Sequence, residues 1–228
     1  MSPNVTPRPD VWLVVPLYNE ATVVGDVIRD ALPVFPNIVC VDDGSTDGSA
    51  DAAAAAGAYV VRHPFNLGQG AALQTGIDYV LKYTDGKYLV TFDADGQHDP
   101  LDALAMAERA EDDDLAIIYG SRFLEGEVDI SWFKRLVLRT AALVTRWQTG
   151  LKLTDAHNGL RLLRRDAAGS VQMSQDRMAH ASEIIGQLAG TDFEWAEMPV
   201  HIRYTDYSRA KGQSLLNSVN ILVELMLR

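Results

Sequence analysis

Two aspartates one residue apart, Asp93 and Asp95 in Thr91-Phe92-Asp93-Ala94-Asp95-Gly96-Gln97-His98, have the type and spacing to hold a hard divalent cation. They close an apolar run of strand length, so both carboxylates can face one pocket. Mg2+ or Mn2+ held there would bridge the oxygens of a diphosphate. Asp and Gly also cluster in ordinary solvated turns, so this DxD motif gains weight only from its surroundings. Val15-Pro16-Leu17-Tyr18-Asn19-Glu20 and Val41-Asp42-Asp43-Gly44-Ser45-Thr46-Asp47-Gly48 likewise end apolar runs in polar residues. Open α/β sheets bind ligands at the carboxyl ends of their strands, so three polar strand ends predict one crevice. Asp42 or Asp43 is suited to accept hydrogen bonds from a nucleobase or ribose, and Tyr18 to pack against the base. Ser45, Thr46 and Asp47 read mainly as helix caps.

The elements that must position these groups follow from apolar periodicity. Strand-length runs at Val11–Pro16, Ile38–Asp42, Ala58–Arg62, Tyr88–Asp93 and Leu115–Gly120 alternate with helical stretches at Thr22–Ala31, Thr46–Ala56, Gly70–Lys82 and Pro100–Ala110. That rhythm predicts an α/β fold, with a Rossmann-like, mostly parallel central sheet flanked by helices. Asp99 followed by Pro100 marks one helix start. Beyond Gly120 the pattern loosens into a loop, a long helix at Ser131–Thr149 and a turn-rich segment at Asp155–Gly159. Then come a helix at Met178–Leu188, one or two strands over Phe193–Thr205 interrupted at Pro199, and a closing helix at Leu215–Leu227. The expected organisation is a flexible leader at 1–10, one catalytic domain at 11–212, and an amphipathic C-terminal helix at 213–228. The apolar stripe of that last helix suits core packing, a homodimer contact, a membrane surface or a small integral membrane partner.

Asn66-Leu67-Gly68-Gln69-Gly70 invites comparison with a dinucleotide fingerprint. It lacks the third glycine at Leu73 and does not follow the first strand, which disfavours a dehydrogenase. Taken together, VPLYNE, VDDGSTDGS, NLGQGAALQTGI, DADGQH, GSR at Gly120–Arg122, DAHNGLR at Asp155–Arg161 and RAKGQS at Arg209–Ser214 resemble family-2 glycosyltransferases of the GT-A fold. The similarity is greatest to the dolichyl-phosphate mannose synthase and polyprenyl-phosphate sugar synthase branch.

The resemblance implies a hexosyltransferase that inverts the sugar it takes from a GDP- or UDP-linked donor, using Mg2+ or Mn2+, with a polyprenyl phosphate or related envelope acceptor. It places Pro16, Tyr18, Glu20 and Asp43 around the nucleotide, and Asp93, Asp95 and Gln97 around the metal and diphosphate. Arg122, Arg139 and Arg209 would meet phosphate groups, and the glycine-rich motifs add Asn66, Gly70, Lys211 and Ser214 to the substrate-binding set. Asp95, Arg122 and Asp155 would be catalytic, with Asp155 the base if the acceptor is a hydroxyl. The branch often has serine where this chain has Asn158, and Leu160 also departs from its pattern. A sugar-phosphate nucleotidyltransferase and a catalytically inactive nucleotide-sugar-binding module are the alternatives. The first is expected to carry a glycine-rich basic loop where VPLYNE stands.

The remaining composition sets outer bounds. The 228 residues suffice for one substantial core, and a net charge of -11 excludes nucleic acid as a natural partner unless a basic surface is gathered locally. The single cysteine, Cys40, excludes an intramolecular disulfide and reads as a small buried hydrophobe. No segment approaches the roughly 20 apolar residues of a membrane span. With the lipid-linked acceptor that the resemblance implies, the expectation is a cytoplasmic protein, peripheral at the inner face of the membrane. His98 and His157 read as hydrogen-bonded scaffold residues, and Arg161, Arg164 and Arg165 as a solvated strand edge.

Overall fold

The computed structural model describes residues 5–124, 132–173 and 180–203. Its strands are β1 (Val11–Leu17), β2 (Asn37–Asp42), β3 (Tyr59–Arg62), β4 (Tyr88–Thr91), β5 (Ile117–Ser121), β6 (Arg161–Arg164) and β7 (Trp195–Pro199). Between them lie α1 (Val24–Ala31), α2 (Ser49–Ala56), α3 (Gln69–Tyr83), α4 (Pro100–Asp112), α5 (Trp132–Thr149), α6 (Arg165–Gly169) and α7 (His180–Ala189). The strands form one mixed sheet in the order β3-β2-β1-β4-β6-β5-β7. All neighbours pair in parallel except β6, which runs antiparallel to both β4 and β5.

Near-continuous apolar runs are what a sheet covered on both faces requires. In β1, Val11, Leu13, Val15 and Leu17 face one layer with Val24 and Ile28 of α1 and Met106 of α4. Trp12 and Val14 face the other with Leu73 and Ile77 of α3 and Ile184 of α7. Cys40 is buried in the first layer, and burial pushes its thiol up to about 12, so it behaves as a hydrophobe. Asp99 caps α4, its carboxylate accepting from Leu101 N at 2.9 Å with Pro100 in the first turn.

Three expectations are corrected. Residues 5–10 are not a loose leader: Val5 packs on the core, Arg8 N donates to Val34 O, and the Arg8 guanidinium binds Asp10 and Glu111. The cap of α2 is Gly48, with no side-chain cap bond. Ser45 Oγ instead accepts from Asn19 N at 2.9 Å and Thr46 N donates to Asn19 Oδ1, so this segment ties the exit of β2 to the exit of β1. Asp47 serves both ends, accepting from Ala21 N and from Ser49 N in the first turn of α2. Finally, Arg161–Arg164 is an interior strand with Arg161 only 3% exposed. Arg165 is also no solvated edge, since it donates to the carbonyls of Val80, Leu81 and Gly86. Among the described residues no helix is long and apolar enough to cross a membrane. The C-terminal segment expected as an amphipathic helix, 213–228, lies outside them.

Candidate active site

The carboxyl ends of β1, β2, β4 and β5 open on one side of the sheet, and the polar motifs stand on those ends. At β1, Pro16 lies within the strand opposite Val41, Tyr18 is 46% exposed at the rim, and Glu20 is buried with its N–H bound to Ser49 Oγ at 2.7 Å. At β2, the two adjacent aspartates have separate fates. Asp43 is a clasp: Oδ1 meets His63 Nδ1 at 2.8 Å and Leu67 N at 2.9 Å, and Oδ2 accepts from Gly68 N at 2.8 Å. His63 in turn reaches Thr75 Oγ1 of α3 at 2.9 Å. The loop that presents exposed Asn66 and leads to buried Gly70 is thus fastened to the end of β2. Asp42 keeps a buried Oδ1 with no hydrogen-bond partner. A buried carboxylate oxygen without a donor is costly, which marks it as an acceptor awaiting one.

At β4 the strand stops at Thr91, two residues sooner than its pattern suggests, and Phe92–His98 turns across the crevice. Gly96 makes this turn with φ +77°, a conformation L side chains rarely adopt. Asp93 Oδ2 pairs with His98 Nε2 at 3.0 Å, and the buried His98 ring packs edge-on against Phe92. Asp95 accepts from Gln97 N at 3.1 Å and from Gln97 Nε2 at 2.6 Å. Burial, and then the charge of Asp93, hold the Asp95 carboxyl above the usual aspartate range. Two carboxylates that resist ionising together, aligned by a histidine and a glutamine, fit a hard divalent cation, which would reverse the local charge logic. Among the described residues no cluster of three His, Cys, Asp or Glu side chains closes a complete cage. Mg2+ in general takes one or two carboxylates and completes its shell with water and substrate phosphates.

Gly159 lets the Asp93 carboxylate lie where it does, because a Cβ there would stand 2.4 Å from Asp93 Oδ2 and displace it. Its carbonyl also accepts from Thr91 Oγ1 at 2.5 Å, so the Asp155–Gly159 turn is pinned directly beneath the carboxylate pair. At β5, Arg122 and Asp155 form a nearly buried ion pair, Nε to Oδ2 at 2.5 Å, with Arg122 N on the same oxygen at 3.3 Å. Asp155 Oδ1 accepts from His157 N at 3.4 Å.

Two positions unrecognised as site residues in the sequence hold this half together. Arg161 opens β6 in register with Thr91 of β4 and Tyr119 of β5; its buried guanidinium donates to Ala156 O at 3.3 Å and lies within electrostatic reach of Asp93 and Asp155. Glu197 of β7 accepts from Thr154 N at 2.8 Å and Asp155 N at 3.3 Å, fixing the loop that carries Asp155. Burial raises its pKa. Arg161 closes the DAHNGLR motif, but nothing in its spacing shows burial; antiparallel insertion between β4 and β5 buries it. Arg139 is exposed on α5, in the wall of a cavity of about 420 Å³ that also includes Phe123 and Thr154, chain neighbours of the Arg122–Asp155 pair. Arg209, Lys211 and Ser214 lie outside the described residues.

The chain is similar to known proteins over most of its length. Residues 12–171 match the model of the family described as glycosyl transferase family 2. The chain is 32% identical to an uncharacterized protein of Methanocaldococcus jannaschii over 99% of its own length and 94% of the relative's. It is 31% identical to a polyprenol monophosphomannose synthase of Mycolicibacterium smegmatis, over 96% of this chain and 85% of that one. The glucosyl-3-phosphoglycerate synthase of Mycobacterium tuberculosis, solved with Mn2+, UDP-glucose and phosphoglyceric acid, superposes with a TM-score of 0.64 at 18% identity, covering 94% of this chain and 79% of that one. That likeness shows the fold, a GT-A glycosyltransferase fold.

Proposed function

The chain belongs to glycosyl transferase family 2, and from that premise we propose that it transfers a sugar, with inversion, from a nucleotide-diphosphate donor to a polyprenyl phosphate, assisted by Mg2+ or Mn2+ at Asp93 and Asp95. Family membership sets aside the nucleotidyltransferase and inactive-module alternatives. The relative in Methanococcus voltae named as a UDP-N-acetylglucosamine–dolichyl-phosphate N-acetylglucosaminyltransferase, 25% identical over 95% of both chains, supports the same acceptor class.

The engagement of Asp155 favours a phosphate acceptor. Its Oδ2 is taken by Arg122 and its Oδ1 by His157 N, so neither oxygen is presented to the cleft as a proton acceptor. A hydroxyl acceptor needs a base within reach, whereas a phosphate monoester, with a second pKa of about 6, is already anionic near neutral pH. In this reading Asp155 aims Arg122, and the guanidinium meets phosphate charge. Asp42 offers its unpartnered oxygen to the nucleobase or ribose, Tyr18 packs on the base, and Asp43 holds the Asn66–Gly70 loop over the donor. The divalent cation, when bound, supplies Lewis-acid neutralisation of the departing diphosphate. Gln97 and His98 keep Asp95 and Asp93 turned toward it, and Arg161 steadies both carboxylate centres from below.

Incubating the protein with UDP-, GDP- and TDP-sugars and polyprenyl phosphate, followed by mass analysis of the lipid, tests this. A glycosylated lipid phosphate that disappears on chelation is expected. Turnover only on hydroxyl acceptors, or undiminished turnover after exhaustive chelation, overturns it.

A further inference from the structure

The strongest unexplained feature outside the crevice is the outer face of α5. Residues 132–154 carry Lys134, Arg135, Arg139, Arg146 and Lys152 and no carboxylate, in a chain whose net charge is -11. The helix buries Leu138, Ala142 and Thr145 against the domain. On the adjoining face, at helical spacing, stand exposed Arg139, Leu143, Arg146 and Trp147. Leu143 is 65% exposed and Trp147 is 87% exposed, the most exposed of the described large hydrophobics. Displaying an indole and a leucine to water gains nothing for folding, and gathering cations while excluding carboxylates is not what an acidic protein does by chance.

We propose that this face docks on an anionic phospholipid surface, with Trp147 and Leu143 entering the headgroup boundary and the cations meeting lipid phosphates. Tryptophan suits that boundary because one edge of the ring is polar and the rest apolar. Basic residues add attraction to anionic lipid that the rest of this acidic surface would oppose. The face is continuous with the cavity that runs from Arg146 and Leu143 to Phe123 and Thr154, beside the Arg122–Asp155 pair. Docked this way, the crevice opens onto the bilayer, and a polyprenyl phosphate reaches Arg122 without leaving its membrane. That consequence rests on the acceptor class proposed above; the docking itself does not.

The test is co-sedimentation of the full-length protein with vesicles of phosphatidylcholine, alone or mixed with phosphatidylglycerol, beside transfer to a detergent-dispersed short-chain polyprenyl phosphate. Binding should need the anionic lipid and weaken with salt. Trp147→Ala and Arg146→Glu should each lower partitioning by about ten-fold. Trp147→Ala should leave melting and detergent-phase transfer unchanged. Fluorescence lost in Trp147→Phe should be the part quenched by brominated lipid. Undiminished vesicle binding by Trp147→Ala, or binding lost only on deleting 213–228, overturns the proposal. Vesicle binding through α5 without any lipid product would instead defeat the acceptor reading alone.

Discussion

The two halves of the crevice are built from different forces. On the β1–β2–β3 side, loops are fastened by neutral and charge-assisted hydrogen bonds between neighbours: Asn19 to Ser45 and Thr46, Glu20 N to Ser49, Asp43 to His63, Leu67 and Gly68. On the β4–β6–β5–β7 side, ionisable groups crowd together instead: the Arg122–Asp155 ion pair, Asp93 with His98, Asp95 held above its usual range beside Asp93, and the buried Arg161 and Glu197. A donor pocket must present one fixed shape, and short hydrogen bonds within a rigid loop do that at little electrostatic cost. A reaction centre must meet charge that appears and disappears, and preorganised ions in a water-poor cleft do that best. The difference teaches where sensitivity lies: the first half should fail through geometry and donor affinity, the second through turnover.

The largest expected effect breaks the charged half outright. Asp93→Ala with Asp95→Ala should lower kcat/KM on the order of 10³-fold and abolish the response to added Mn2+, measured by lipid-linked product formation. Next, Arg122→Ala leaves Asp155 buried without its partner and should cost about 3 kcal/mol in chemical denaturation. Adding Asp155→Ala should return part of that stability but none of the activity. Asp155→Asn should then separate the acceptors: about ten-fold loss with a phosphate acceptor if the side chain only aims Arg122, and a far larger loss with any hydroxyl acceptor, where a base is needed. In the other half, Asp43→Asn keeps the size of the side chain but turns one of its two acceptors into a donor facing an N–H, so at least one bond of the clasp is lost. It should raise the donor KM with little change in kcat, at a stability cost of about 1 kcal/mol in thermal unfolding. Equal effects on kcat from Asp43→Asn and Asp155→Asn would erase the contrast.

The smallest effect concerns pH. The folded Asp95 carboxyl sits above its unfolded value of about 3.9, so the ionised form opposes folding. Its contribution is favourable below that value and is lost as pH rises through the raised one. Asp95→Asn should flatten that fall in the melting temperature of the metal-free protein, and saturating Mn2+ should abolish it.

Much of the fold was legible because its causes are local. Buried parallel strands must be apolar and short, the helices between them amphipathic, and Asp99-Pro100 suits a helix start; the five strands of the first half fall within two residues of their expected bounds. The DxD pair and the strand-end motifs were legible for the same reason, since chemistry concentrates where an apolar run breaks into Asp, Gly and Ser. What spacing missed were roles conferred by distant partners. Arg161 ends the DAHNGLR motif, yet it reads as a solvated arginine like Arg164 and Arg165 until β6 slides antiparallel between β4 and β5. Asp42 and Asp43 look equivalent until His63 and the 67–68 amides claim one of them. Ser45 and Thr46 have the residue types of caps, but their hydrogen bonds go to Asn19 in the loop after β1.

The sequence alone therefore determined the layered α/β architecture, the carboxylate pair and the family, because periodicity and short motifs carry that information within a few residues. Tertiary structure decided which aspartate is spent in a clasp and which keeps an unpartnered oxygen, which arginine is buried, and that the candidate base Asp155 is held by Arg122. Those outcomes depend on contacts between residues tens of positions apart, and the free energy of a buried charge is set by what surrounds it in space, whatever its neighbours along the chain.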